Sequence, residues 1–344
     1  MNPAPALPRL LAGAGLIAAL AAMWVPAAPA AAQQPVKIRA GWITTPASLI
    51  PLIFAKEGLA RHKDKSYAFE PVYYAASPLQ ITALANGELD IAALGFSSFP
   101  LAVQNAGLSD LRILADEIQD GVPGHYATPF WVRKDSGIGR IEDLKGKVVA
   151  TNGLGSGVDI VMRSALARHG LAATRDYTVI EAPFPTQKGV LKDRKADLIV
   201  TALPFSYDPE LRDMATILFD TRSGLGEVAL SFWTARKDFI ERNRAALVDL
   251  LEDYVVALRW YLDPSHHQEA AEIVGHFLKR PPAAFQDWLF TAKDFYRDRS
   301  GVPNLKALQD NVDRMKDLGF IKEPLGVSRF ADLGLIEEAA RRLK

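Results

Sequence analysis

A short apolar strand that opens into a Gly/Ser loop and then into an amphipathic helix is the feature that most limits what this chain can become. It stands in Arg133–Asp159, R-K-D-S-G-I-G-R-I-E-D-L-K-G-K-V-V-A-T-N-G-L-G-S-G-V-D. The turn Glu142–Lys147 leads into the strand Lys147–Ala150. The loop Thr151–Gly157 carries three Gly and a Ser, and Val158–His169 has the periodicity of an amphipathic helix. A helix that starts in such a loop presents unpaired backbone N–H groups and the positive end of its dipole, which suits an anion or a polar head group. No Lys follows the last Gly, so this is not a nucleotide P-loop, and Gly153–Gly157 lacks the dinucleotide spacing. Taken alone, an ordinary strand-to-helix turn reads the segment as well.

A second unit of the same kind precedes it. In Gln80–Ser98 a helix ends at Gly87, the strand Leu89–Leu94 follows, and it opens into Gly95, Phe96, Ser97 and Ser98. Around this unit the pattern predicts strands at Val36–Trp42, Ala68–Tyr74 and Leu111–Ala115 and a helix at Leu79–Asn86. A further apolar helix is expected from the loop Ile43–Thr45 to about Glu57, stopped by Gly58, with Pro46 and Pro51 blurring its start. The β-α pattern then restarts. Strands are expected at Thr128–Arg133, Tyr177–Glu181, Ala196–Thr201, Thr216–Asp220 and Glu227–Thr234, with a helix at Thr186–Asp193. From Lys237 the chain reads as almost entirely helical, with Leu247–Leu262 and Asn304–Leu318 the long helices. Strand–helix alternation argues for an α/β fold with parallel pairs.

The pairing of A-L-A-N-G-E-L-D-I-A-A-L-G (83–95) with R-K-D-S-G-I-(x)3-E-D-L-K-G-K-V-V-A (133–150) resembles the substrate-binding proteins of ABC importers. The group is the sulfonate/nitrate/taurine and thiamine-precursor type, and the resemblance runs from about Val36 to the C-terminus. It implies a two-lobed periplasmic-binding-protein fold of type II, with a ligand cleft between the lobes and a helical C-terminal part. Lobe 1 would comprise 33–127 and 225–344, and lobe 2 would comprise 128–224. The implied function is capture of a small organic solute, an anionic sulfonate or carboxylate by family type, and its delivery to ABC permease subunits. Two features depart from the family. The segment after A-K-E-G-L, A-R-H-K-D-K-S-Y-A, is charged and longer, and no Arg can be assigned to the cleft.

Composition bounds the compartment. Arg9 is the only charge in 1–32, Leu10–Val25 is apolar, and Ala30-Ala31-Ala32 fits the small-x-small cleavage rule, so a cleaved secretory signal is expected. The run is short for a membrane span and ends at Pro26. There is no twin-Arg pair. There is also no Cys, so the lipid-anchored form of these proteins is excluded and no disulfide can form. The mature chain is expected to be a periplasmic monomer. The full sequence balances 40 Lys and Arg against 40 Asp and Glu, which gives no electrostatic argument for nucleic acid.

Candidate ligand residues follow from strand ends. Trp42, Thr44 and Thr45 follow the first strand, where the resemblance puts a ligand-contacting loop; a core Trp and a capping Thr are the competing reading. Ser97 and Ser98 stand before a helix, and capping would not stop them touching ligand. In the second unit the candidates are Thr151, Ser156 and Gly157. Phe184 in A-P-F-P-T and Phe205 in A-L-P-F-S-Y follow strands, where rings would stack on an apolar ligand body. Glu227, at the second crossing between lobes, could receive an amine or hydroxyl, against a solvated hinge carboxylate. Arg133, Lys134 and Asp135 read as a structural turn, and Phe96 and Phe99 as core. The two Ser loops are expected to converge on an acceptor-rich head group.

Catalytic constellations are missing from the sequence. The six His are scattered without metal-ligand spacing, thiol chemistry is excluded, and no G-x-S-x-G elbow occurs. No metal or cofactor is expected, and the chain is read as a non-enzyme. Its rivals are an enzyme of the same fold, of pyrimidine-precursor synthase or dehydratase type, and a periplasmic ligand-sensing module.

Overall fold

In β1 (Val36–Trp42), Ile38 and Ala40 are buried while Lys37 and Arg39 face outward, the alternation of a half-covered strand. It is followed by β2 (Tyr67–Tyr73), α1 (Ser77–Ala85), β3 (Ile91–Leu94), α2 (Phe99–Gln104) and β4 (Leu111–Asp120). The computed structural model that gives these elements describes residues 34–75 and 77–344, so the expected signal segment lies outside the described residues. A second set runs β5 (Pro129–Arg133), β6 (Val148–Thr151), α3 (Gly157–Arg168), β7 (Thr178–Glu181), α4 (Phe184–Lys192), β8 (Leu198–Val200), α5 (Pro209–Met214), β9 (Ala215–Asp220) and α6 (Thr221–Gly224). The chain then returns through β10 (Val228–Arg236) to a helical C-terminal region: α7 (Lys237–Tyr261), α8 (His267–Leu278), α9 (Ala283–Gln286), α10 (Leu305–Asp317) and α11 (Gly334–Arg342).

The strands form two five-stranded mixed sheets, ordered β2-β1-β3-β10-β4 and β7-β6-β8-β5-β9. Both have the same plan. The first three strands pair parallel, and the fourth, β10 or β5, runs antiparallel to both its neighbours. The chain leaves the first sheet between β4 and β5 and returns between β9 and β10. Asp120, at the end of β4, ties these two connections together. Its carboxylate accepts from the Thr128 N–H at 3.0 Å and from the Thr221 hydroxyl at 2.8 Å, and Thr221 N–H donates to the Thr128 carbonyl.

One face of the first sheet is closed by α7 and α11, whose Leu247, Leu251, Val255 and Ile336 pack with Ile38, Leu114 and Trp233. A second apolar cluster runs from the first sheet into the second, joining Phe96, Phe99 and Phe232 to Val161 and Met162 of α3. The charged segment before β2 is held by buried Asp253 of α7, which accepts the N–H groups of Arg61, His62 and Lys63 and the Tyr67 hydroxyl. Among the described residues no helix is long and apolar enough to cross a membrane.

Two sequence expectations need correction. The helix expected up to Glu57 is a series of turns: Ser48 N–H reaches Thr44, while Leu52 and Ala55 reach only three residues back. Pro46 and Pro51 have no N–H to give, so a continuous i→i−4 ladder cannot form. The strand expected to stop at Ala115 continues to Asp120, because its carboxylates find donors within the fold.

Candidate functional site

A cavity of about 220 Å³ is lined from both sheets, mostly by residues just past the C-terminal ends of parallel strands. Thr44 follows β1, Gly95 follows β3, Asn152 and Ser156 follow β6, Phe184 follows β7, and Ala202 and Leu203 follow β8. This is the crevice in which open α/β sheets bind ligands. Its body is apolar, with Ile118 and Leu230 on one side, Leu203, Phe184 and Phe205 on the other, and Phe295 from the C-terminal region.

The first-sheet wall carries a carboxylate. Glu117 is 2% exposed and lines the cavity. Its Oε1 accepts from the Ser48 hydroxyl at 2.5 Å and from Leu49 N–H at 3.2 Å, and its Oε2 accepts from the Ser231 hydroxyl at 2.6 Å. Burial pushes this carboxyl above the usual range, opposed by the Ser231 and Ser48 hydroxyls, the field of Arg297 and the Leu49 N–H. Register breaks in the β10–β4 ladder flank Ser231, and such irregularities re-aim a side chain, here toward Glu117. Arg297 is itself buried and committed: it pairs with Asp294 at 3.0 Å and donates to the carbonyls of Pro46, Ala47 and Phe295. Among the described lining residues Glu117 is the one charged side chain, and no Lys, Arg or His lines the cavity. The anionic head group expected from the sequence therefore meets no cationic side chain here.

The second-sheet wall is formed by the loop 152–156 and the start of α3. Ser156 is the N-cap: it accepts from Asp159 N–H at 3.3 Å and donates to Asn152 Oδ1 at 2.7 Å. Gly157 lets the two halves meet, since a Cβ there would stand 3.1 Å from Cε1 of Phe96 and 3.7 Å from Cδ1 of Leu230. The N–H groups of Gly157 and Val158 open α3 and have no intrahelical partner.

The cavity thus gathers Thr44, Ser156, Gly157, Phe184 and Phe205 from the sequence candidates. The others lie elsewhere. Trp42 packs on the surface with Tyr73, at a centroid distance of 5.0 Å, and with Phe277, at 6.0 Å. Thr45 is buried, as is Thr151, whose hydroxyl turns to the Gly153 carbonyl. Ser97 is half-buried outside the lining. The Ser98 hydroxyl folds back on Gly95, accepting from its N–H and donating to its carbonyl, and α2 behind it has only six residues. Glu227 is exposed and accepts from Asn304 at 3.1 Å, away from the lining. The lining residues outside the sequence candidates include Ser48, Glu117, Thr128, Asn152, Ser231 and Phe295. The readable signal for Glu117 was a strand pattern running on through A-D-E-I-Q-D.

His62, Asp249 and Glu252 bring ligand-type atoms within 4.8 Å of one another outside this cavity. Arg342 approaches both carboxylates there, at 2.8 Å to Asp249 and 3.7 Å to Glu252, so a protein cation already offsets part of their charge.

Residues 31–275 match the model of the NMT1-like family. No curated protein matches. Similar solved structures include the periplasmic aliphatic sulphonate-binding protein SsuA of Escherichia coli, at 19% identity and TM-score 0.68, over 86% of this chain and 92% of that one. The periplasmic nitrate-binding protein NrtA of Synechocystis PCC 6803 is similar at 17% identity and TM-score 0.65, over 90% and 89%. The desulfurization enzyme DszB is similar at 14% identity and TM-score 0.66, over 90% of this chain and all of that one. These likenesses establish the fold, two α/β lobes with a cleft between them, and the family match covers most of the sequence: the chain belongs to the NMT1-like family.

Proposed function

We propose that this protein captures a small organic solute in the periplasm and hands it to an ABC-type permease. The observation that carries this reading is a cavity walled by both sheets, with apolar sides and a few convergent polar groups, the usual form of a small-molecule site. The lobes would be 33–127 with 225–344, and 128–224. They would close over the solute about the two connections that Asp120 ties together. The permease would read the closed form, the signal segment 1–32 would be removed on export, and the mature chain would act as a monomer without a cofactor.

A thermal-shift panel of sulfonates, carboxylates, aromatic acids, pyrimidines and amines tests capture, because a ligand that binds only the folded state raises Tm. Small-angle scattering of the same samples should give a smaller radius of gyration with a bound hit. A panel without a single shift would sink the reading. The likeness to DszB supports one rival, an enzyme on this fold. Mass spectrometry of a hit recovered after long incubation separates the two, since capture returns the compound unchanged.

A further inference from the structure

The chemistry of the cavity wall narrows the solute class, an inference that rests on the solute-capture reading. Each carboxylate oxygen offers two lone pairs. On Glu117, Oε1 is filled by the Ser48 hydroxyl and the Leu49 N–H, whereas Oε2 receives only the Ser231 hydroxyl. One acceptor position on a nearly inaccessible carboxylate is therefore left over beside the cavity. Arg297 makes no hydrogen bond to Glu117 and acts on it through its field; its two terminal nitrogens are held by Asp294 and three carbonyls, while its Nε is buried without a partner. When Glu117 is ionised, an anionic solute would set a second negative group against it, with the Gly157 and Val158 N–H groups but no cationic side chain in the described lining to balance the two. A nitrogen that carries N–H bonds fills the open acceptor position and, if protonated, neutralises the buried charge.

We infer that the solute is an organic nitrogen base, which seats its N–H-bearing group on Glu117 and its apolar body among Phe184, Phe205 and Phe295. Glu117 is then the residue that sets specificity. The bland alternative is a brace, in which Glu117 merely fastens Ser48 and Leu49 to β4. A brace does not require a net charge, because a Gln of the same shape can accept from one hydroxyl through its oxygen and donate to the other through its NH2 group.

The test uses four probes that share one ring: benzamidine, benzamide, benzoate and benzenesulfonate, titrated calorimetrically into the mature protein. Benzamidine should bind about tenfold or more tighter than either anion, with benzamide between them, which is the scale of one hydrogen bond to a charged group. Glu117→Gln should remove the benzamidine preference while circular dichroism shows an unchanged fold. Ser231→Ala, which keeps the carboxylate and takes away one of its donors, should retain the preference. Should Glu117→Gln fail to fold, the ranking of the four probes on the unaltered protein still decides. Equal or tighter binding of benzoate or benzenesulfonate overturns the assignment and leaves solute capture standing. An unchanged benzamidine affinity in a folded Glu117→Gln variant overturns it too. Silence from all four probes overturns this inference, while the wider thermal-shift panel decides capture separately.

Discussion

In the loop Gly95–Ser98 the serine hydroxyl closes on its own turn, with Ser98 Oγ 3.0 Å from Gly95 N and 3.3 Å from Gly95 O. In the loop Asn152–Gly157 the serine hydroxyl caps the helix ahead of it and fastens the loop behind, through Asp159 N–H and Asn152 Oδ1. The first loop starts a helix of six residues and the second a helix of twelve. The first wall of the cavity consequently draws its polarity from β4 and β10, as Glu117 and Ser231. The second draws it from the helix start itself, as the N–H groups of Gly157 and Val158 and the side chain of Asn152. In both loops the hydroxyl is spent locally. A Ser before a helix marked where the cavity edge lies and said little about which atoms face the solute.

The glycines offer the sharpest way to break this comparison. A Cβ on Gly95 would run into the Leu230 carbonyl of β10, a backbone atom fixed in the sheet. Gly95→Ala should cost about 3 kcal/mol or prevent folding, at the upper end of overpacking effects. Gly157→Ala meets only the edge of the Phe96 ring at 3.1 Å, which a small ring movement relieves. It should cost less than about 1 kcal/mol in stability and act mainly on how closely α3 approaches the first sheet, hence on affinity. Urea unfolding midpoints of the two variants check this. Equal losses would mean that both loops are packed alike and that the second has no freedom to close.

The two walls should also answer pH differently. On β4, burial pushes the Asp116 carboxyl up to about 7, and one of its oxygens has no hydrogen-bond partner. Burial pushes Asp120 up to about 6. Beside the second loop burial raises Asp159 as well, but there the Gly155 N–H and Arg163, at 2.9 Å, oppose the shift. A carboxyl whose folded pKa is raised binds its proton more tightly folded than unfolded. Its contribution to stability is fully present below the unfolded pKa, about 3.9, and is lost as pH rises to the folded value. For Asp116 this means a loss between pH 4 and pH 7, approaching about 1 kcal/mol per pH unit. Asp116→Asn should flatten the fall in Tm over this window without abolishing it, because Asp120 contributes the same sign up to about pH 6. An unchanged slope would show that Asp116 stays ionised in the folded chain.

The restart of the β-α pattern after Thr128 and the strand ends around Gly95, Thr151 and Phe184 were legible because each depends on residues close in sequence. Glu117 was not. A-D-E-I-Q-D looks like the end of a strand, and burying its carboxylates is tolerable only because donors arrive from Ser48 and Ser231, which lie 69 and 114 residues away. The segment 46–57 failed for a local reason that was visible: its apolar content suggested a helix, and its two prolines deny the ladder. Trp42 and Glu227 were chosen by position at strand ends and crossings, and that position does not fix which way a side chain turns.

The smallest expected effects concern the two serines. Ser156→Ala removes a cap on a twelve-residue helix, and such losses run to about 1 kcal/mol. Asn152 loses its donor at the same time, but it is only half-buried and water can replace the hydroxyl. Ser98→Ala removes no side-chain cap, since Ser98 makes none. It frees a Gly95 N–H at the cavity edge, where water can again substitute, so about 0.5 kcal/mol is expected, the low end for a lost hydrogen bond. Neither hydroxyl has a donor left for the solute, so benzamidine affinity should change by less than about twofold in both variants, under about 0.4 kcal/mol. Denaturation midpoints order the stability losses, and calorimetry reads the affinities. A larger drop in affinity than in stability for Ser156→Ala would mean that its hydroxyl releases Asn152 and turns to the solute on binding. The second wall would then recognise its ligand through a side chain as the first does, and the contrast between the loops would shrink to the length of the helices behind them.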